Sequence, residues 1–142
     1  MRVILMFLLL VLLFSEADAR TPEDCLALNI YHEARGEPLE GQVKVAIVTL
    51  NRVKDPRWPN TVCGVVYQPY QFSWTLSNPK PPIKELEVFR KIQKLARDIL
   101  RNPRKYENHG STHYVRKDLH NKIRWTRRLE PVALIGDHQF YR

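Results

Sequence analysis

Residues 39–53 carry the pattern that most limits what this chain can become. Val43, Ala46, Ile47, Leu50 and Val53 fall at helical spacing, and Val45 and Val48 add apolar surface elsewhere on the same helix. A helix apolar around its circumference is stable only when other elements cover it on all sides. The chain is therefore expected to fold around this segment, with a central helix. Its 142 residues suit one domain with a leader and leave little room for two full domains.

The flanking segments supply the cover. Thr21-Pro22-Glu23-Asp24 reads as a helix start: Thr21 can cap, Pro22 suits the first helical position, and the two acids complement the positive helix end. Cys25, Leu26, Leu28, Ile30 and Tyr31 continue that helix, and Gly36 and Pro38 end it. Residues 55–60 are a turn-rich stop. Residues 61–67 are short and β-branched, and read as a strand or a buried turn. Residues 76–82 hold three prolines and form a surface loop. Residues 83–100 form an amphipathic helix with Ile83, Leu86, Phe89, Ile92, Leu95, Ala96 and Ile99 on one face. Lys and Arg cover its other face, for which solvation is explanation enough. After Gly110 the pattern breaks into short β-like segments at 112–115, 123–126 and 133–141. The expected fold class is mainly α (α+β), with a short β-like C-terminal part.

The N-terminus predicts export of this domain from the cytoplasm. Met1-Arg2 gives a positive start, residues 3–14 are unbroken apolar sequence, and Ala17-Asp18-Ala19 is an A-x-A cleavage pattern. As a helix the apolar run would span roughly 18 Å, short of the ~30 Å of a bilayer core. Residues 1–19 therefore read as a secretory signal peptide, with an uncleaved membrane tether as the alternative, and residues 20–142 as the mature domain. Losing Arg2, Glu16 and Asp18 with the leader raises the formal charge from +8 to +9. That balance implies an anionic partner without saying which. Hydrophobic residues make up 44% of the chain, enough to exclude disorder as a description of the whole. Two cysteines are too few for a disulfide scaffold or a four-Cys zinc site. Export permits Cys25 and Cys63 to pair, the alternative being two buried thiols.

The chemistry concentrates where the first helix ends. Tyr31-His32-Glu33-Ala34-Arg35-Gly36-Glu37-Pro38 packs a histidine, two acids and an arginine into eight positions. Glu33 falls in the last turn of an otherwise apolar helix. Partial desolvation there would raise its pKa and suit it to donate a proton. Glu37 lies beyond the helix break and need not share Glu33's face. Arg35 and Glu37 read as a surface ion pair, or Arg35 as a group that steers a substrate carboxylate. His32-Glu33 starts like H-E-x-x-H, but position 36 is Gly, so the metal motif fails at its second ligand. No G-x-S-x-G motif and no phosphate-cradling glycine loop is present.

The run Cys25-Leu-Ala-Leu-Asn-Ile-Tyr-His-Glu33-Ala-Arg-Gly-Glu37-Pro38, with Glu40-Gly-Gln-Val43 and Leu50-Asn-Arg52 after it, resembles the SleB-like cell wall hydrolases. Later blocks agree in order and spacing: Thr61-Val-Cys63-Gly-Val-Val-Tyr67-Gln68, Gln71-Phe-Ser-Trp74, Ser111-Thr-His-Tyr114, and Ile135-Gly-Asp-His-Gln-Phe-Tyr141. The resemblance covers about residues 22–142.

That resemblance implies a lysozyme-like catalytic domain that cleaves the β-1,4 bond between N-acetylmuramic acid and N-acetylglucosamine in peptidoglycan. It implies Glu33 as the catalytic acid; from the failed metal motif, no metal is expected, and no cofactor is expected either. A lytic transglycosylase needs only that one acid; ordinary muramidase hydrolysis would need a second carboxylate, for which Glu37 is the candidate. Gln71, Thr112, His113, Tyr114 and Trp125 are expected to bind substrate or orient Glu33. The expected partner is the peptidoglycan glycan strand, met by an exported monomer in the periplasm or outside the cell. The membrane is touched only during export. A nucleic-acid-binding module would suit the charge, but the leader argues against it; a non-catalytic wall binder would suit the fold, but the intact Glu33 block argues against it. Phage lysis (as an endolysin) and bacterial wall remodelling fit the sequence equally.

Overall fold

The structure is a computed structural model that describes residues 20–142; the expected leader lies outside the described residues. Four α-helices precede a small sheet: α1 (Pro22–Ala34), α2 (Leu39–Lys54), α3 (Val62–Val66) and α4 (Leu86–Arg101). The strands are β1 (His113–Arg116), β2 (Pro131–Ile135) and β3 (His138–Tyr141). The mainly α expectation with a β-like end is met.

The first helix starts as its sequence requires. The Asp24 backbone N–H donates to Thr21 Oγ1 at 3.1 Å, and the Thr21 N–H donates to Asp24 Oδ2 at 3.0 Å. This reciprocal pair satisfies two donors that the first turn would otherwise leave bare. Helix α2 is central, as its apolar circumference demanded: residues 44–49 are all buried. One of them is Lys44, which reaches the Glu107 carbonyl at 3.1 Å. The larger core cluster joins α1, α2, α3 and α4, with Leu26, Ile30, Ile47, Val66, Ile92 and Ile99 inside it. A smaller cluster, Ala34, Val45, Val48, Ile135 and Phe140, binds the sheet to α1 and α2. Tyr114 packs against both clusters.

Three segments differ from the sequence reading. The β-branched segment at 61–67 is neither strand nor turn but the short helix α3. Thr61 caps it by accepting from the Gly64 N–H at 3.0 Å, and a Cys25–Cys63 disulfide ties it to α1. The second difference is the start of α4, which falls at Leu86 rather than Ile83. Pro81 and Pro82 hold the chain extended, and the backbone N–H groups of Lys84 and Glu85 both donate to the buried Tyr31 hydroxyl at 3.1 Å. Their bonds are spent on α1, so the helix starts later. Residues 123–126, read as β-like, instead carry a 3-10 turn at Arg124–Arg127.

The sheet has the order β1-β3-β2 and is antiparallel throughout. His113 pairs with Tyr141 and Tyr114 with Phe140. Paired residues share a face and neighbours alternate. Tyr114 and Phe140 therefore face the helices, and His113 and Tyr141 face away. The β2–β3 turn passes through Gly136 at φ +57°, where any Cβ would run into the Glu37 carboxylate.

Candidate active site

Glu33 projects from the last turn of α1 towards the sheet. The Tyr114 hydroxyl donates to its Oε2 at 3.2 Å. Desolvation raises the Glu33 pKa above its ordinary value, and the Tyr114 bond opposes that rise because it favours the ionised form. Burial and the nearby Glu33 hold the Tyr114 phenol far above its usual range, so it stays a donor. The Tyr114 ring is held in turn by His138 at 5.1 Å and Phe140 at 5.5 Å between ring centres.

Two hollows meet at Glu33. One, about 390 Å³, is shared with Glu37, Arg116, Lys117, Asp118, Asp137 and His138. The other, about 420 Å³, lies against His32, Arg35, Gly36, Glu37 and Glu85. An acid in the middle of a run of hollows suits a polymer that passes across it, with sites on both sides of the bond to be cut.

Glu37 reaches the same cleft but is engaged there. Its Oε2 accepts from the Asp137 backbone N–H at 3.0 Å. Its Oε1 lies 3.8 Å from His138 Nδ1. Burial pushes the His138 pKa down, with Glu37 and Asp137 pulling against it, so the imidazole is neutral at pH 7. Glu37 therefore fastens the β2–β3 turn to the α1–α2 corner. The expected Arg35–Glu37 ion pair does not form: Arg35 pairs with Glu85 at 3.0 Å instead, since the corner turns Glu37 towards the sheet.

The other residues singled out in the sequence gather elsewhere. Buried Arg52 donates from Nε to the Thr112 carbonyl at 2.8 Å and from Nη1 to Gln71 Oε1 at 3.3 Å. Thr112 Oγ1 lies 3.0 Å from His113 Nδ1. The His113 ring sits between Trp58 at 5.7 Å and Trp125 at 5.4 Å. Burial, with Arg52 and Arg57 nearby, lowers the His113 pKa to about 4. Strand alternation puts this cluster on the face of β1 opposite Tyr114. Of the five residues expected around Glu33, Tyr114 alone touches it. The sequence reading missed His138, Arg116, Lys117, Asp118 and Asp137 as cleft residues. The Gly136-Asp137-His138 block was the available signal, but which strand faced Glu33 was not written in it. Among the described residues no group of three or more His, Cys, Asp or Glu is placed to hold a metal ion.

Fold and site together define a lysozyme-like α+β domain with one half-buried glutamate at the end of a buried helix. Residues 36–141 match the cell wall hydrolase family, and the chain belongs to it. Glu33 lies just ahead of the matched segment. The chain is similar to the spore cortex-lytic enzyme of Bacillus subtilis, 50% identical over 60 residues that make up 42% of this chain and 18% of that enzyme. It is also similar to the spore cortex-lytic enzyme of Oceanobacillus iheyensis, 52% identical over 48 residues, 34% of this chain and 17% of that one. The matched stretches are thus less than a fifth of these relatives' lengths. Among solved structures it is similar to the catalytic domain of the germination-specific lytic transglycosylase SleB from Bacillus anthracis, with a TM-score of 0.67 and 27% identity over 89% of this chain and 99% of that one. The Bacillus cereus SleB catalytic domain gives a TM-score of 0.66 and 28% identity over 89% and 94%.

Proposed function

We propose that residues 20–142 form the catalytic domain of an exported, monomeric, cofactor-free enzyme that cuts peptidoglycan glycan strands between N-acetylmuramic acid and N-acetylglucosamine. Glu33 is its acid and the reaction is a lytic transglycosylation. The observation that carries this reading is the pairing of a desolvated, pKa-raised Glu33 with a Glu37 already committed to the β2–β3 turn. One carboxyl is free to do chemistry, and a one-acid mechanism needs no more.

The protonated Glu33 carboxyl gives its proton to the glycosidic oxygen as the C1–O bond breaks. The carboxylate that remains takes the proton of the muramic acid C6 hydroxyl while O6 closes on C1. The product is a 1,6-anhydro end, no water is consumed, and Glu33 is protonated again. Tyr114 donates to Oε2 throughout and stabilises the carboxylate between the two halves. Gln71, Thr112 and His113 serve the site through Arg52, which fixes the start of β1 and so places Tyr114, and Trp125 packs on His113 from the same side.

The test is mass analysis of the fragments released from purified cell walls. Wild type is expected to yield ends one water lighter than hydrolysed ends. Glu33→Gln should lose about 10²–10⁴-fold in rate while still binding walls. Lysis unchanged in Glu33→Gln would remove Glu33 from the mechanism, and hydrolysed ends from wild type would replace transglycosylation with muramidase chemistry.

A further inference from the structure

The two hollows at Glu33 continue into a third. It measures about 480 Å³, is walled by Tyr31, Trp74, Ser77, Pro81 and Pro82, and shares His32 and Arg35 with the hollow before it. Its charge sets it apart. Lys84 and Arg35 line it and no carboxylate does. The hollow at the opposite end holds four acids, Glu33, Glu37, Asp118 and Asp137, against Arg116 and Lys117. Arg35 is partly offset by Glu85. Lys84 has no side-chain hydrogen bond or ion-pair partner among the described residues. Its backbone N–H is fixed on the Tyr31 hydroxyl, so the root of the side chain is held while the ammonium is available.

The floor between Lys84 and Glu33 suits a sugar. His32 stacks on Trp74 with ring centres 4.6 Å apart. Trp74 is anchored by its Nε1–H donating to the buried Asn29 Oδ1 at 3.0 Å. Burial and the neighbouring Arg35 both lower the His32 pKa, which leaves a neutral flat ring at pH 7. A neutral ring followed by two cations fits a sugar followed by an anion.

Resting on the reading of Glu33 as the acid of a glycan groove, we infer that the Lys84 hollow is the end of the groove that takes a substrate carboxylate. The Lys84 ammonium is its main ligand and Arg35 its second. Peptidoglycan offers this carboxylate from two sources: the lactyl group of a muramic acid without peptide, or the acidic residues of a stem peptide.

Steady-state kinetics of wild type, Lys84→Gln and Lys84→Arg on three soluble strands tests the assignment. The strands are peptide-bearing, amidase-stripped to free the lactyl carboxylate, and carbodiimide-coupled to methylamine so that no carboxylate remains. Lys84→Gln is expected to raise KM about tenfold, as loss of one charge-assisted bond would, with kcat unchanged and Lys84→Arg restoring most of the affinity. On neutralised strands wild type and Lys84→Gln should have the same, raised KM. An effect confined to peptide-bearing strands assigns the stem peptide, and one confined to stripped strands assigns the lactyl group. Equal KM for wild type and Lys84→Gln on both acidic strands, or a difference that persists on neutralised ones, overturns the assignment and leaves the Glu33 reading standing. A wild type that cuts none of the strands takes both down.

Discussion

Replacing Glu37 with glutamine separates the two uses a carboxylate can have beside Glu33. As the fastener of the β2–β3 turn, Glu37 needs only an acceptor for the Asp137 N–H, 3.0 Å away, and a glutamine oxygen can supply it. What is lost is the charge. A hydrogen bond to a charged group contributes about 1.5–3 kcal/mol and a neutral one about 0.5–1.5, so the substitution should cost about 1 kcal/mol. The neighbouring His138 is neutral at pH 7 because burial lowers its pKa, so no cation is left unpaired by the change. For a domain of this length that cost lowers Tm by about 4 °C. Activity on purified walls should stay within about threefold of wild type. A second catalytic carboxylate would behave differently: its amide would cost about 10²–10⁴-fold with the fold intact. Thermal unfolding by circular dichroism and the rate of wall clearance, measured on one preparation, give both readouts. A hundredfold loss of rate at unchanged Tm would refute the assignment of Glu37 to structure and restore the two-carboxylate mechanism.

The remaining expectations concern the proton and the staple. On the proposed mechanism Glu33 is protonated at the start of the reaction, so kcat/KM should fall as pH rises through its raised pKa. Tyr114→Phe removes the bond that favours the ionised form; the alkaline limb should move to higher pH and kcat should drop about tenfold. A limb that stays or moves down counts against the Tyr114–Glu33 bond. Cys25 and Cys63 close a loop of sequence separation 38, worth about 4 kcal/mol in the chain-entropy model. The double Cys25→Ala, Cys63→Ala variant should therefore melt about 15 °C lower, and a change under about 3 °C would show that the bridge constrains little.

How much was legible follows from what kind of information each feature needs. The central α2 and the capped start of α1 are local patterns, and both formed where the residues placed them. Glu33 could be found because its helix and the break after it lie within a few positions. Tyr114 and His113 are adjacent, and one-residue alternation sends one to the acid and the other to Arg52. Choosing between them requires knowing which face of β1 meets the helices, and that depends on its pairing with β3 some 25 residues later. The segment at 61–67 misled through its β-branched residues, while the Thr61 cap and the bridge to α1 decided for a helix. Ile83 has the right spacing for α4 but lies beside backbone claimed by Tyr31, a contact across more than 50 positions.

The position of Glu33 on α1 has one more consequence. It lies one residue before the end of Pro22–Ala34, where the aligned peptide units leave the equivalent of about half a negative charge. A carboxyl in that field resists losing its proton even before burial is counted. The backbone of α1 thus helps hold the proton on Glu33, although it brings no functional group of its own to the cleft. A glutamate one turn earlier would keep the side chain and give up most of that field, which fades within the last turn. The cap at Thr21 and the bridge at Cys25 hold the far end of the same helix. They keep its negative pole aimed at Glu33, the proposed acid.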